Sequence, residues 1–240
     1  MVDSLFFPKC HRPVAGPSLT ILATLAVLLI AVVAGCDWYG TRSFSADAIT
    51  AYVVDADTGE PVAGANVLAT WVMKSGLENN TTNYAMVMEA VSDASGKFTF
   101  PAWGPKNVSG LGQIPGLAPL FIIFKPGYNQ GRGANRSNGP APLHMTSDWN
   151  NKTFKLKKFQ GTPEEYANYL DLYLLGDIHS LMFNGCHGIS FPKFLLALDR
   201  QSLEFATQRT KTPLPSLQRI SDSYASRCGP IVEEVRRRGS

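Results

Sequence analysis

Acid–base and metal chemistry need carboxylates and imidazoles at workable spacing, and the C-terminal third offers Asp171, Asp177, His179 and His187. Such a set could bind a metal or pass a proton, so a hydrolase with its site in this region is one reading. The spacing is loose. No HExxH, CxxC or CxxCH pattern occurs, and no GxSxG elbow presents a serine. We therefore assign no catalytic residue, no metal and no cofactor. A second set lies in the glycine-rich stretch 129–150, where Arg132, Arg136, His144 and Trp149 suit a polar or sugar-like ligand through hydrogen bonds and ring stacking. The alternative is a disordered surface loop. Asp55 and Asp57 could open a calcium loop, but the sixth position would be Glu60 and the twelfth Asn66, so a solvated turn is expected.

The thiols carry the sharpest signal. Cys10, Cys36, Cys186 and Cys228 are the four cysteines. Lys9, His11 and Arg12 precede an uncharged apolar run, Leu19 to Val33, of roughly 15 residues. The run stops at Val33-Ala34-Gly35-Cys36, which resembles the lipobox of bacterial lipoproteins. The resemblance implies cleavage before Cys36 and diacylglycerol on its thiol. Small residues at 34 and 35 let the extended chain enter a peptidase cleft. Two or three palmitate-type chains, at about 0.8 kcal/mol per buried methylene, would anchor the protein in the cell membrane or the outer membrane, facing periplasm or exterior. The alternative is an uncleaved signal anchor. An exported chain meets an oxidising compartment, where Cys186 and Cys228 could pair or remain as buried thiols.

From residue 48 the pattern turns to strands. Ile49–Val54, 65–73, 85–91, 97–100, 119–124 and 153–159 are β-branched or alternating and are separated by turn residues. Val53-Val54-Asp55, Thr58-Gly59-Glu60-Pro61, Gly64-Ala65-Asn66-Val67, the hairpin Asp93 to Phe100 and Lys125-Pro126-Gly127-Tyr128 together resemble the carboxypeptidase regulatory-like domain. That likeness covers Ala48 to Phe159. It implies an antiparallel, transthyretin-like or Ig-like β-sandwich in which none of these residues is catalytic. Inserts at 75–84, 102–118 and 129–150 depart from the pattern. If all six strands are antiparallel, the turns at 55–63 and 93–96 and the insert at 125–151 share one end of the sandwich. Triplets at Asn79, Asn80, Asn107, Asn135 and Asn151 fit Asn-x-Ser/Thr, which a bacterium normally leaves unmodified.

The tail reads as helices. Thr162-Pro163-Glu164-Glu165 is a capped start, followed by Tyr166, Tyr169, Leu170, Tyr173 and Leu174 on one face. Phe191 to Thr207, with Phe194, Leu195, Leu198, Leu203 and Phe205, makes a second helix, and shorter ones are expected over 216–226 and 230–238. The fold class is thus mainly β with α. A signal helix over 1–35 and a lipidated tether over 36–47 lead into a sandwich over 48–160, and a helical region covers 161–240. A net charge of +3 excludes the strongly basic nucleic-acid binders. The expected role is a non-catalytic binding or structural module, held to a membrane by lipid, with a cell-envelope glycan or protein as partner. Cys36→Ser should abolish incorporation of a clickable fatty acid and release the protein from membranes; undiminished label on the variant would refute the lipobox reading.

Overall fold

The computed structural model describes residues 42–75, 81–108, 113–137, 139–183 and 186–240. The apolar run, the lipobox residues Val33, Ala34 and Gly35, and Cys36 lie outside the described residues. Among the described residues no helix is long and apolar enough to cross a membrane.

The chain is mainly β with a helical C-terminal region. A first set of strands forms two short sheets, ordered β6-β1-β9 and β10-β2-β5. They are β1 (Arg42–Ala46), β2 (Ile49–Asp55), β5 (Lys97–Phe100), β6 (Trp103–Val108), β9 (His144–Met145) and β10 (Thr153–Leu156). Only two residues separate β1 from β2 and β5 from β6, and the register runs on from Ala46↔Trp103 to Ile49↔Phe100. The two sheets are therefore one three-stranded ribbon with a bend. The second sheet is antiparallel throughout, ordered β4-β3-β7-β8, from β3 (Asn66–Ser75), β4 (Thr81–Val91), β7 (Leu120–Phe124) and β8 (Gly131–Gly133).

Three expectations change. Residues 36–47 are not all tether, because β1 begins at Arg42 and buries Phe44 and Ala46 by simple alternation. The strands are not all antiparallel: β10 pairs parallel with β2, and β9 parallel with β1. The cause is the insert at 125–151, which does not stay at one end. It descends as β8 and joins the 113–118 segment through Asn135 N→Leu117 O, Gly116 N→Gly139 O and Ala141 N→Ile114 O. It then climbs back beside β1 and β2. Nor is this insert a decorating loop, since Met145 is fully buried in the core.

Alternation along β3 and β7 builds two cores. Val67, Ala69 and Trp71 with Phe121 and Ile123 meet Ile49, Val53, Phe98, Phe100 and Phe154 of the bent ribbon, a sandwich-like packing. Leu68, Ile122 and Phe124, on the other face, meet the helices. Each such side chain contributes about 1.5–3 kcal/mol on burial.

The helical region opens with α1 (Pro163–Leu170), whose N-terminus carries the expected capping box between Thr162 and Glu165. A π-helical turn, Asp171–Leu175, passes straight into α2 (Gly176–Phe183). The wider turn rotates the buried stripe onto Leu174, Leu175 and Ile178, so Tyr173, expected inside, is about half exposed. Then come a 3-10 turn His187–Ser190, α3 (Pro192–Thr207), α4 (Leu217–Cys228) and α5 (Val232–Gly239). Leu203 of α3, also expected on the apolar face, is exposed. Cys186 and Cys228 form a disulfide with their Cα atoms 5.4 Å apart, closing a loop of 42 residues. In the chain-entropy account such closure stabilises by about 4 kcal/mol.

Asp55 organises the turn after β2. Its carboxylate accepts hydrogen bonds from Thr58 N and Asp57 N, then from Tyr128 Oη, with Lys158 Nζ at 3.5 Å. Asp55 itself is buried, while residues 56–61 of the turn are exposed, as a solvated turn requires. Those backbone bonds, foremost the one from Thr58, hold its pKa at about 2, below the ordinary 3.8. Because the folded value is the lower one, protonation favours the unfolded chain. The stabilisation is whole above about pH 4 and is lost as pH falls toward the folded value. Asp55→Asn should remove this part of the acid sensitivity: thermal melts of wild type and variant should converge as pH falls from about 4 to 2. Melts that stay a constant distance apart would contradict the assignment.

Candidate functional site

The segment 131–136 positions the chemistry. Strand β8 lies at the edge of its sheet and passes close to β10. A Cβ on Gly131 would come within 2.6 Å of Leu156 Cδ2, and one on Gly133 within 2.6 Å of Phe154 Cε1 and 2.9 Å of Trp149 Cε2. Two glycines flanking Arg132 thus bring the backbone against the sandwich core and turn the arginine to the opposite, helix-facing side.

There Arg132 enters a cleft of about 590 Å³ between the sheet and α2. One of its nitrogens lies 2.6 Å from Asp177 Oδ2 and donates to Tyr173 O at 2.7 Å. Gln130 Nε2 donates to the same carboxylate oxygen at 3.2 Å, and Gln130 N donates to Tyr169 Oη. The apolar wall is Leu120, Ile122 and Leu181. Two further polar pairs line the cleft, Lys74 Nζ to Thr82 Oγ1 at 2.6 Å and Tyr84 Oη with Ser180 Oγ at 3.0 Å. Burial pushes the Tyr84 phenol above its ordinary value, so it remains a neutral hydrogen-bonding group.

Beyond Ala134, which borders both, lies a second groove of about 560 Å³ lined by Arg136, Asp148, Trp149, Lys152 and Thr153. Asn135 builds its rim. The side-chain amide donates to Ala118 O and Thr146 O, and the side-chain oxygen accepts from Asp148 N. Arg136 N donates to Asp148 Oδ2, leaving the guanidinium exposed. Trp149 stacks on Phe154 with ring centroids 4.0 Å apart and planes 10° from parallel, and its Nε1 donates to Ala134 O. The indole is fixed on both counts.

The four residues expected to share a ligand loop are therefore divided. Arg136 and Trp149 share the groove, and Arg132 occupies the neighbouring cleft. His144 lines neither, its ring being tied to Ser45 Oγ and Asp47 Oδ1, each at 2.9 Å. Proximity in sequence does not survive because β8 and β9 carry these residues to different edges. Lys152, Asp148 and Lys74 were not singled out in the sequence, where isolated surface charges carry no signal. Asn135 showed only as an unused glycosylation triplet.

The carboxylates and imidazoles of the tail have separate neighbours. Asp177 is engaged by Arg132, the His179 ring meets Tyr224, and Asp171 is exposed. His187 meets Tyr84 edge-on at 5.2 Å, and burial, followed by nearby Lys106, lowers its pKa. No group of three or more His, Cys, Asp or Glu side chains is arranged to hold a metal among the described residues.

No protein-family model matches the chain, and no curated protein sequence matches it. Among solved structures, 3-chlorocatechol 1,2-dioxygenase from Rhodococcus opacus 1CP superposes at TM-score 0.30 with 19% identity, over 51% of this chain and 63% of the dioxygenase. The C-terminal domain of the shaft pilin SpaA from Lactobacillus rhamnosus GG superposes at TM-score 0.26 with 16% identity, over 49% of this chain and 98% of that domain. The chain thus spans less than two thirds of the dioxygenase's length, and neither likeness carries an argument about function.

Gly133→Ala tests the packing that separates cleft from groove. It should destabilise by about 1–3 kcal/mol, since Phe154 is buried and the Trp149 ring is held by its stack and its hydrogen bond. Chemical denaturation that leaves the midpoint unchanged would show that β8 does not lie this close to β10.

Proposed function

We propose that the chain is an exported, lipid-anchored module of the cell envelope that binds a glycan-like polar polymer along the groove at Arg136, Asp148, Trp149 and Lys152. The carrying observation is the groove itself. A fixed indole stands beside two exposed cations and a carboxylate, with the backbone around them pinned by Asn135. Sugars are recognised by such pairings, the ring covering apolar C–H faces while charged groups take hydroxyls and carboxylates. Pre-organisation matters because a rim already immobile loses little entropy when a ligand arrives.

Anchoring through Cys36 rests on the lipobox residues Val33, Ala34 and Gly35. The Cys186–Cys228 disulfide supports an oxidising compartment. The sheets, with the turn at Asp55–Gly59 and the hairpin at Asp93–Gly96, support a transthyretin-like module of the carboxypeptidase regulatory-like kind. On this reading the sandwich is the rigid body, and binding belongs to the insert that the family pattern lacks.

The double variant Arg136→Ala, Lys152→Ala tests the groove. Both side chains are exposed, so thermal stability should stay within about 0.5 kcal/mol of the parent. Retention of the full chain on peptidoglycan sacculi or a glycan array should fall about tenfold or more, as expected from losing two charge-assisted contacts. Equal retention by parent and variant would reject the groove as the binding site.

A further inference from the structure

A separate pocket of about 380 Å³ lies where the turn at Pro126–Gly127, the start of α1 and the second half of α3 meet. Its walls are aromatic. Phe159 and Tyr166 have ring centroids 4.9 Å apart, and Tyr166 and Phe205 stand edge-to-face at 5.9 Å. The Tyr166 hydroxyl is occupied, accepting from Gly127 N at 2.9 Å and lying 3.3 Å from Tyr128 O.

The polar groups come from α3. Glu204 is exposed, and its carboxylate accepts from Gln201 Nε2 at 3.3 Å and from Gln208 Nε2 at 3.4 Å. Two neutral amides therefore aim this charge, and no lysine or arginine lines the pocket. Gln201 is 4% exposed, and its Oε1 is buried with no hydrogen-bond partner among the described residues. A buried acceptor without a donor is costly and is rare in folded proteins.

These features share one sign. Ring faces present negative charge density, and the carboxylate is anionic. We propose that this pocket binds a primary ammonium group on an aliphatic stem. The nitrogen pairs with the Glu204 carboxylate, and the stem lies against Phe159, Tyr166 and Phe205. A free diamine and a lysine side chain offer the same chemistry. The proposal is independent of the groove at Trp149, which lies on other elements and has two cations of its own.

The test titrates the full chain, in non-ionic detergent, with cadaverine, with acetyl-lysine amide bearing a free side-chain amine, and with 1-pentanol as the uncharged isostere. Saturation-transfer NMR and calorimetry give the readout. Both amines should bind saturably with a Kd on the order of 1 mM, and pentanol should not. The tighter of the two amines identifies the source. Glu204→Gln, which removes the charge and keeps one of the two amide contacts, should weaken both about tenfold. Gln201→Met, of similar volume but without the amide that holds Glu204, should also weaken both, by about fivefold. The proposal is overturned if neither amine binds saturably, as for a pocket that holds only water. It is overturned equally if pentanol binds as well as cadaverine, or if Glu204→Gln leaves the amine affinity unchanged. Glu204 is exposed, so its variant decides the matter even should Gln201→Met fail to fold.

Discussion

Strands β3 and β7 carry apolar side chains on both faces, Val67, Ala69, Trp71, Phe121 and Ile123 toward the bent ribbon and Leu68, Ile122 and Phe124 toward the helices. A sheet apolar on both sides cannot leave either to water without exposing a patch larger than soluble proteins tolerate. It must be a middle layer. The ribbon of β1, β2, β5, β6, β9 and β10 covers one side and the helical region the other. Removing either layer would strand several fully buried aromatic or branched side chains, each worth about 1.5–3 kcal/mol. The helical region is thus part of the same cooperative unit as the strands, rather than an appendage to a sandwich.

Docking across this sheet is directional because polar groups fix where each helix begins. No side chain of Phe191 caps α3, whose first N–H groups instead reach across to the sheet, where Glu89 of β4 accepts from Lys193 N at 3.2 Å and Phe194 N at 3.0 Å. Burial pushes the Glu89 carboxyl upward, against the pull of those two backbone donors. In the same way Asp199 of α3 accepts from Leu217 N at 2.7 Å and fixes the start of α4. These two helix starts find an acceptor on the element packed beside them, so packing and capping specify the same arrangement.

The two proposed binding surfaces differ in how their charges are disposed. Around β8 the cleft holds paired groups, Arg132 with Asp177 and Lys74 with Thr82, while the adjacent groove leaves the Arg136 guanidinium exposed beside a locked indole. At α3 the arrangement is reversed, with an anion and an unsatisfied acceptor among rings. The groove thus exposes cations and the pocket an anion.

Local signals were legible in the residues themselves. Period-two runs marked β2, β3, β4, β5, β7 and β10, and the Thr162–Glu165 capping box marked the start of α1, because each depends on neighbours within a few residues. The lipobox-like pattern ending at Cys36 is likewise local, and it lies outside the described residues. The short strands were not legible. Arg42–Ala46 alternates but carries a single large apolar residue, Phe44, among serines, and Gly131–Gly133 and His144–Met145 are strands only because β7 and β1 offer them partners. The parallel pairing of β10 with β2 could not be read either, since it depends on the path of the 125–151 insert between the two ends. The same holds for the sites. The sequence supplied Arg136 and Trp149 as an inventory, but their meeting with Asp148 and Lys152 follows from the close approach of β8 to β10. Gln201 became an orphan acceptor only through its burial in the folded protein. A residue's type and spacing determine its chemistry and its local element; which groups face each other across a groove is decided by long-range packing, to which single-sequence periodicity is blind.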